Sequence, residues 1–398
     1  MEKVELNRHF ISDIFFYQEG PGVRKWQFTE SGVKLINVGN INNGKIDLSS
    51  TKINISEEEA YGKYSHFLID EGDLLIACSG IVVENFHNKI AFINKEHLPL
   101  CLNTSTMRFK ELPEKKGDLN FLKYFLQTND FKSQLRKLIT GSAQLNFGPS
   151  HIRKIEIPLP PLSTQQKIAT ILDQANAIVT NNRAIVAKYD ALTQSLFLDM
   201  FGDPVKNEKG WEKMEVINYC SCIVPGRDKP KSFTGNIPWV TTDDLVHLGI
   251  TSKSKKDIGL SEVEISNVKA KKIPAGSVIM TCVGNLGVIS INEIEIIINQ
   301  QLHAFQCFEQ LNNLFLMHCL SFQKGFMYKM ASSTTVPYMN KTICNSIPII
   351  SPPITLQTQF AERVSVIETQ KQQAQLELAK SEALFQSLLQ GAFKGELV

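Results

Sequence analysis

Two stretches of this sequence combine cationic side chains with amide and hydroxyl groups in a way that suits a nucleic acid. Between Lys123 and Lys154 there are six lysines and arginines against one acid, Asp130. From Gln310 to Ala361 there is no Asp or Glu, while three lysines are present. Lys and Arg side chains hold DNA by its phosphates, whereas Gln, Asn, Ser and Thr can read the edges of bases. Both stretches are therefore candidate nucleic-acid interfaces.

A polar loop lies within each stretch, at 140–147 and at 332–340. In the first loop, Gln144 or Asn146 could pair with an adenine through two hydrogen bonds. For any single residue, an ordinary solvated helix followed by a turn is the alternative explanation. The residues that we predict to contact DNA are Lys132, Arg136, Lys137, Ser142, Gln144, Asn146, Arg153, Lys324, Lys329, Thr334, Tyr338, Asn340 and Lys341.

The motifs of other chemistries are incomplete. Gly39–Lys45 matches the first seven positions of a P-loop, but Ile46 replaces the hydroxyl that would bind magnesium, and 46–48 has the pattern of a strand. Glu114-Lys115-Lys116 fits half of a nuclease motif but lies in a polar, proline-adjacent loop. No dinucleotide-binding, adenine-methyltransferase or nucleophile-elbow motif occurs, and no histidine has a partner at metal-ligand spacing. We therefore expect no catalytic residue, metal or cofactor in this chain.

The composition restricts the possible classes of protein less than the motifs do. The chain has 398 residues, of which 43% are hydrophobic and 21% charged, which is typical of two or three globular domains. Its formal charge of +2 argues against a uniformly basic surface but allows a local basic face. The charged N-terminus and the lack of a long apolar run predict a cytoplasmic protein. The eight cysteines include no C-x-x-C pair, so we expect small, buried side chains in a reducing compartment.

The sequence contains an internal repeat. Ile155–Phe201 aligns with Ile347–Phe393 without a gap, at an offset of 192 residues. Upstream, Glu71–Gly80 resembles Ala275–Gly284 at an offset of 204. Two copies of one fold that differ in loop length would produce this pattern. The chain is thus interpreted as a globular unit and a helical segment, both of which then occur a second time.

Each repeat ends in a segment of about 40 residues with the pattern of one long helix. Ser163 and Thr164 follow a Pro-Pro pair and could cap the first helix, which extends to about Met200. Apolar residues recur at alternating steps of four and three, as in a coiled coil. The predicted seam between the helices comprises Ile168, Leu172, Val179, Val186, Tyr189, Leu196, Phe360, Val364, Ile367, Leu378, Phe385 and Leu388.

A helix with an apolar seam needs a partner that covers it. We expect the two long helices to pair antiparallel, and the alternative is that each helix packs on its own globular unit. Residues off the seam, such as Gln165 and Gln357, are expected to face solvent or a partner protein.

Each globular unit mixes short β-rich runs with at least one helix. Strands are predicted at Val33–Val38, Asp73–Ala77, Ile237–Val240 and Ser277–Met280, and the spacing over Leu119–Leu138 is helical. We predict an α+β fold in which two similar units with mostly antiparallel or irregular strands are related by a pseudo-twofold internal repeat. The predicted divisions are a first globular domain at 1–160, a helix at 161–201, a second globular domain at 202–352 and a second helix at 353–398.

Several segments, taken together, are characteristic of one protein family. They are Val38–Leu48, Ile157–Leu162 with Gln165, Met200–Pro204, Gly210–Glu212 and Leu388–Leu397. Through them the chain resembles the specificity subunits of type I restriction-modification systems over essentially its whole length. One departure is that the Glu often found before the first Gln of the long helix is Thr164 here and Leu356 in the second copy. This departure concerns the local helix cap.

The resemblance implies two target-recognition domains, each of which reads one half of a split site in double-stranded DNA. It implies that the paired helices act as a spacer and dock two methyltransferase (modification) subunits, which motor-nuclease (restriction) subunits join. Two units on a fixed rod would contact the duplex about one helical turn, roughly 34 Å, apart. S-adenosylmethionine, ATP and Mg are expected on these partners, where an adenine would be flipped and methylated. No membrane partner is expected.

Two alternatives remain open at the level of sequence. The chain could be a stand-alone DNA nuclease or transferase with an unrecognised site. It could also be a coiled-coil scaffold whose globular ends bind protein. Steeply salt-dependent binding to duplex DNA would distinguish a DNA reader from such a scaffold.

Overall fold

The computed structural model describes residues 6–49, 51–139, 146–226, 228–332 and 336–397. The chain divides into two compact units. Unit 1 comprises Met1–Arg183 and Leu376–Val398, and unit 2 comprises Ala184–Gln375. Each unit therefore contains one globular part together with one half of each long helix.

Unit 1 is built from short strands, short helices and 3-10 turns. Its strands are β1 (Arg8–Phe10), β2 (Phe15–Glu19), β3 (Val33–Ile36), β4 (Ile41–Asn42), β5 (Lys45–Ile46), β6 (Asn54–Ile55), β7 (Leu74–Ala77), β8 (Ile90–Phe92), β9 (Leu100–Leu102), β10 (Thr106–Glu111) and β11 (Glu156–Pro158). Its short helices are α1 (Ile11–Ile14), α2 (Glu57–Tyr61), α3 (Leu119–Phe125), α4 (Asn129–Leu138) and α5 (Pro149–Ile152).

The main sheet of unit 1 is antiparallel, with the strand order β2-β10-β7-β8. A second sheet has the order β6-β3-β9 and includes one parallel pair, β3 with β9. The strands predicted around Val33 and Asp73 are confirmed as β3 and β7. Every residue of β7 is buried because the strand lies between the cores on the two faces of its sheet.

The helical pattern over Leu119–Leu138 forms two helices instead of one, α3 and α4. Thr128 divides them, because its Oγ1 accepts a hydrogen bond from the Phe131 N–H (3.2 Å) and donates one to the Phe125 carbonyl (2.7 Å). A threonine at this position caps the second helix and stops the first.

Unit 2 repeats this composition after the long helix α6 (Leu162–Phe201). Its strands are β12 (Lys213–Glu215), β13 (Cys220–Ile223), β14 (Ile237–Val240), β15 (Gly249–Thr251), β16 (Gly259–Leu260), β17 (Lys272–Ile273), β18 (Val278–Thr281), β19 (Ile289–Asn292), β20 (Ile296–Ile298), β21 (Leu302–Cys307) and β22 (Pro348–Ile350). Its helices are α7 (Glu262–Asn267), α8 (Asn313–Ser321), α9 (Lys324–Met330), α10 (Lys341–Asn345) and the long α11 (Ile354–Ala392).

The two units have the same topology. The order β13-β21-β18-β19 in unit 2 matches β2-β10-β7-β8 in unit 1, and unit 2 adds β15 at one edge. The pair β12 with β22 likewise matches β1 with β11. The predicted α+β fold with a duplicated unit is therefore confirmed, and the predicted strands near Ile237 and Ser277 are β14 and β18.

The long helices pair antiparallel within each unit. In unit 1, Asn182 donates to Ser381 (3.2 Å) and Arg183 forms an ion pair with Glu382 (2.6 Å). In unit 2, Lys371 forms an ion pair with Asp190 (2.6 Å). Also in unit 2, the Arg363 Nη1 contacts the Met200 Sδ (4.0 Å). From Asp190 to Met200 the residue numbers rise along α6, while those of the partners fall along α11 from Lys371 to Arg363, which confirms the predicted orientation.

The predicted seam residues also pack on the globular parts. In the core of unit 1, Ile168, Leu172, Val179 and Phe385 are buried, and Leu378 and Leu388 pack against them partly buried. In the core of unit 2, Phe360 and Val364 are buried and Leu196 is partly buried. Val186, Tyr189 and Ile367, nearer the middle of the helices, are half-buried. Helix pairing and packing on the globular part thus occur together.

The first turns of the long helices differ from the expectation in two ways. Helix α6 begins at Leu162, so Ser163 and Thr164 lie inside it instead of capping it, and the Pro161 carbonyl accepts the N–H groups of Thr164 and Gln165. Gln165 and Gln357 are completely buried, so the expectation that they face solvent or a partner is wrong.

Each buried glutamine joins its helix to the globular part of the same unit. The Gln165 Oε1 accepts the Asp118 N–H (3.0 Å), and its Nε2 donates to the carbonyls of Lys116 (2.9 Å) and Pro160 (2.8 Å). Gln357 repeats this pattern. Its Oε1 accepts the Asn312 N–H (2.9 Å), and its Nε2 donates to the carbonyls of Gln310 (3.3 Å) and Pro352 (2.8 Å).

Replacing Gln165 by Leu should destabilise unit 1 by about 2–4 kcal/mol, since an N–H and two carbonyls would lose their buried partner. Hydrogen exchange of peptides that cover 118–138, measured by mass spectrometry, tests this. The control is Gln166→Leu at the adjacent exposed position, which should change little. Equal protection in both variants would contradict the structural role of Gln165.

Acid should destabilise unit 2 through two buried histidines. Burial, with a smaller effect of nearby Lys341, lowers the pKa of His303 to about 4. Burial also lowers the pKa of His318 to about 4, with smaller effects of His247 and Lys371. Between pH 6.5 and 4 the unfolded chain binds protons at these histidines and the folded unit does not, so stability falls as the pH falls.

From pH 7 to pH 5 the expected loss is about 2 kcal/mol for each histidine. Urea unfolding followed by tryptophan fluorescence reports on unit 2, because Trp239 is buried there whereas Trp26 of unit 1 is 81% exposed. An unfolding midpoint that stays constant between these pH values would contradict the prediction.

Candidate nucleic-acid interface

In unit 1, the loop after β7 meets the segment after α4. The Phe147 N–H donates to the Cys78 carbonyl (2.9 Å). The Asn146 Oδ1 accepts hydrogen bonds from the Ser79 hydroxyl (2.9 Å) and the Gly80 N–H (2.8 Å). Gly80 adopts a positive φ of 63°, which lets the loop turn back here. The predicted contact residue Asn146 is thus held against the end of a buried strand.

Unit 2 repeats this junction. The Met339 N–H donates to the Cys282 carbonyl (2.9 Å), and the Gly284 N–H donates to the Pro337 carbonyl (2.9 Å). Tyr338 occupies the position equivalent to Asn146, and its side chain is 46% exposed. The structure therefore brings these two predicted residues to the same place in the two units.

Ser142, Gln144 and Thr334, which the sequence also indicated, lie outside the described residues. Asn146 is held by its partners, but both of these hydrogen bonds use the amide oxygen. A two-bond pair with adenine would need that oxygen as an acceptor for the base, so it would have to replace these bonds. In this arrangement Nδ2 is the group of Asn146 that suits a base contact.

The cations of unit 1 lie on and near α4. The Lys132 Nζ donates to the Glu84 carbonyl (3.0 Å), and Arg136 forms an ion pair with the Glu84 carboxylate (2.6 Å). Burial lowers the pKa of Lys132, and Arg136 lowers it further. Arg136 also lowers the pKa of Glu84 by its hydrogen bond. Lys137 and Arg153 are exposed.

The predicted contact cations of unit 2 are Lys324 and Lys329 on α9 and Lys341 at the start of α10, and all of them are exposed. The Lys324 Nζ lies 6.0 Å from the ring centroid of Tyr328. Asn340 caps α10, because its Oδ1 accepts the Ile343 N–H (2.9 Å). Asn340 thus has a structural role in addition to its predicted contact with DNA.

The P-loop-like segment forms a hairpin. Strands β4 and β5 pair across Asn43 and Gly44, which both have positive φ values (50° and 72°), as a two-residue turn requires. The strand expected at 46–48 is β5 at Lys45–Ile46, where a P-loop would begin a helix. The carbonyls of Val38 and Ile41 accept hydrogen bonds from Lys89.

Among the residues that the structure describes, no three His, Cys, Asp or Glu side chains are grouped so that they could hold a metal ion. All eight cysteines are free. Six are buried, and Cys222 and Cys307 are half-buried. In the same described part of the chain, no helix is long and apolar enough to span a membrane.

The family model described as "Type I restriction modification DNA specificity domain" matches residues 3–188 and 209–378, which is most of the chain. The chain belongs to this family. The duplicated match coincides with the duplicated unit seen in the fold. Specificity subunits are the non-catalytic members of type I systems, in agreement with the expectation that this chain is not itself an enzyme.

Relatives include several named specificity subunits. The putative MjaX specificity subunit of Methanocaldococcus jannaschii is 24% identical over 89% of this chain and 85% of its own length. The EcoKI specificity subunit of Escherichia coli is 24% identical over 91% of this chain and 82% of that protein. The MjaVIII specificity subunit of M. jannaschii is 27% identical over 44% of this chain and 40% of that protein.

Solved structures agree at the level of the fold. The type I S subunit from M. genitalium matches with a TM-score of 0.56 at 14% identity, over 98% of this chain and 96% of that one. A chain from a structure on complex assembly and conformational transition of the type I R-M system matches with a TM-score of 0.57 at 17% identity, over 99% and 100%.

The residue patterns did not indicate the backbone side of this candidate interface. Gly80 and Gly284 occupy the ends of the two segments that align at an offset of 204, so the repeat contained the signal. What the repeat did not indicate is that these loops bond to residues 53–69 positions later. Hydrogen bonds between such distant residues leave no periodic trace in a sequence.

Replacing Asn146 by Ala should weaken the junction in unit 1 by about 1–2 kcal/mol, because the Gly80 N–H and the Ser79 hydroxyl lose their acceptor. Asn146→Asp keeps a side-chain acceptor and is the matched control. Hydrogen exchange of peptides containing residues 78–82 measures the effect. The assigned role fails if both variants exchange as fast as the unaltered protein.

Proposed function

We propose that this specificity subunit reads a bipartite site in double-stranded DNA, with one half-site for each unit. The observation that carries the proposal is the duplicated junction, where Asn146 and Tyr338 are held at equivalent places beside cationic helices. Cations that bind phosphates position a protein on DNA, and polar groups beside them read base edges. A duplicated reader therefore suits a target with two halves.

The proposed division of labour follows the predicted segments. Residues 1–160 and 202–352 act as target-recognition domains, and the helices at 161–201 and 353–398 separate them. We propose that the predicted contact residues bind DNA and that the predicted seam residues pair the two helices. We propose that the helices dock two methyltransferase subunits, which motor-nuclease subunits join. S-adenosylmethionine, ATP and Mg would bind to those partners in the cytoplasm.

A first experiment maps methylated adenines in DNA from cells that produce this chain with its methyltransferase subunits. We expect two short half-sites separated by a fixed unspecified spacer. Duplexes with that target should bind the assembled complex with an affinity that falls steeply as salt rises, since phosphate contacts release counterions. A continuous target would overturn the reading of two half-sites, and salt-insensitive binding would favour a protein-binding scaffold.

The ion pair in unit 1 provides a charge test. The Glu84 carboxylate holds Arg136 where a phosphate would compete for it, so Glu84→Gln should raise DNA affinity by about twofold to fivefold. Arg136→Gln should lower the affinity. The control is Glu57→Gln, an exposed carboxylate of α2 in the same unit. If the Glu84 and Glu57 variants have equal affinities in a titration with the mapped duplex, Arg136 does not contact the DNA.

A further inference from the structure

A loop of unit 2 carries lysines that the sequence analysis did not single out. This lysine loop, 224–226 and 228–234 among the described residues, follows β13. Lys229 and Lys231 in it are exposed, and together with Asn267 and Val268 at the end of α7 they line a cleft of about 550 Å³. The loop and the end of α7 therefore form two walls of one surface depression.

The lysine loop lies directly against the backbone that follows α7. A Cβ at Gly226 would lie 2.8 Å from the Lys269 carbonyl oxygen and 2.9 Å from that of Val268, so only glycine fits this approach. Lys269 is itself exposed. Two chain segments thus bring three cations, Lys229, Lys231 and Lys269, to one region of the surface.

Within the described part of the chain, none of these three lysines forms an ion pair, whereas Lys272, further along, pairs with Glu262 and Glu295. One acid of the cleft is Glu264, whose carboxylate accepts hydrogen bonds from the N–H groups of Ser261 and Thr234. Hydrogen bonds, the largest from Ser232, lower the pKa of Glu264 to about 2. Asp228 is the other acid that lines the cleft, so with Lys269 this region has three lysines against two carboxylates.

Two features restrain the backbone of the lysine loop. Pro230 lies between the two lysines, and a proline restricts both its own backbone and that of the preceding residue. The Gln300 Nε2 donates to the carbonyls of Gly226 (3.1 Å) and Asp228 (3.3 Å). Cations held in place lose less conformational entropy when they bind an anion.

The chain around Gln300 also connects the lysine loop to the candidate interface of unit 2. Next to Gln300, the Gln301 carbonyl accepts the Cys282 N–H (2.9 Å), and the Cys282 carbonyl accepts the Met339 N–H (2.9 Å). The lysine loop and the loop of Tyr338 are therefore linked by a short path of hydrogen bonds. A duplex at one of them would pass close to the other.

Unit 1 contains an equivalent loop. Gly22 and Lys25 correspond to Gly226 and Lys229 at the offset of 204 that also relates Gly72 to Gly276. Trp26, beside Lys25, is 81% exposed. An exposed cation thus occurs at the same position of the same loop in both units.

We infer that the lysine loop of unit 2 binds the phosphate backbone of DNA beside the half-site that this unit reads. The inference rests on the proposed function and adds a phosphate-binding surface to it. Clustered, unpaired lysines suit the repeated negative charges of a duplex, whereas base edges call for amide and hydroxyl groups. The loop should therefore contribute affinity with little sequence preference.

The test uses the complex of the full chain with its methyltransferase subunits and a labelled duplex that contains the mapped target. In the variant, Lys229→Gln is combined with Lys231→Gln. The slope of log affinity against log salt should become shallower by about 2, and affinity at moderate salt should fall by about tenfold. The pattern of methylated adenines should stay the same.

The matched control combines Lys253→Gln with Lys256→Gln. These exposed lysines follow β15, at the opposite edge of the sheet from β13. An unchanged salt slope in the Lys229/Lys231 variant, or the same change in the control, overturns the inference. Loss of assembly with the methyltransferase subunits at an unchanged slope also overturns it, in favour of a protein contact. If the unaltered complex does not bind the duplex at all, the proposed function itself fails.

Discussion

The buried amides of Gln165 and Gln357 are the constraint on which the architecture depends. Each is completely buried at the first turn of a long helix and bonds to three backbone groups of the same unit. An amide is suited to this position because it is uncharged and both donates and accepts hydrogen bonds. The direction in which each helix leaves its globular part is therefore set by specific bonds as well as by apolar packing.

The long helices combine two kinds of contact. Their ends contribute apolar residues such as Leu172 and Phe360 to the cores of the units. Closer to the middle, polar and charged pairs such as Asn182 with Ser381 and Lys371 with Asp190 join the two helices. Apolar burial supplies most of the stability, and polar pairs at seam positions specify register and orientation.

The candidate interface is cationic only locally, which suits a chain with a formal charge of +2. In unit 1 a carboxylate, Glu84, already engages Arg136, whereas in unit 2 the lysines of α9 and of the lysine loop are exposed. The two units share a fold but differ in the charges and side chains that they present. Under the proposed function, such a difference would suit two readers of unlike half-sites, because the scaffold stays constant while the loops vary.

The sequence by itself determined the duplicated α+β unit, the long helices and their antiparallel pairing. These follow from periodicity and from the repeat, both of which are local or comparative signals. Only the tertiary structure decided that Gln165 is buried, that Thr128 divides a helix, that Glu84 engages Arg136 and that Lys269 joins the lysine loop. Those facts depend on contacts between residues far apart in the chain or on a side chain that outcompetes helix propensity, and neither has a period that a sequence could show.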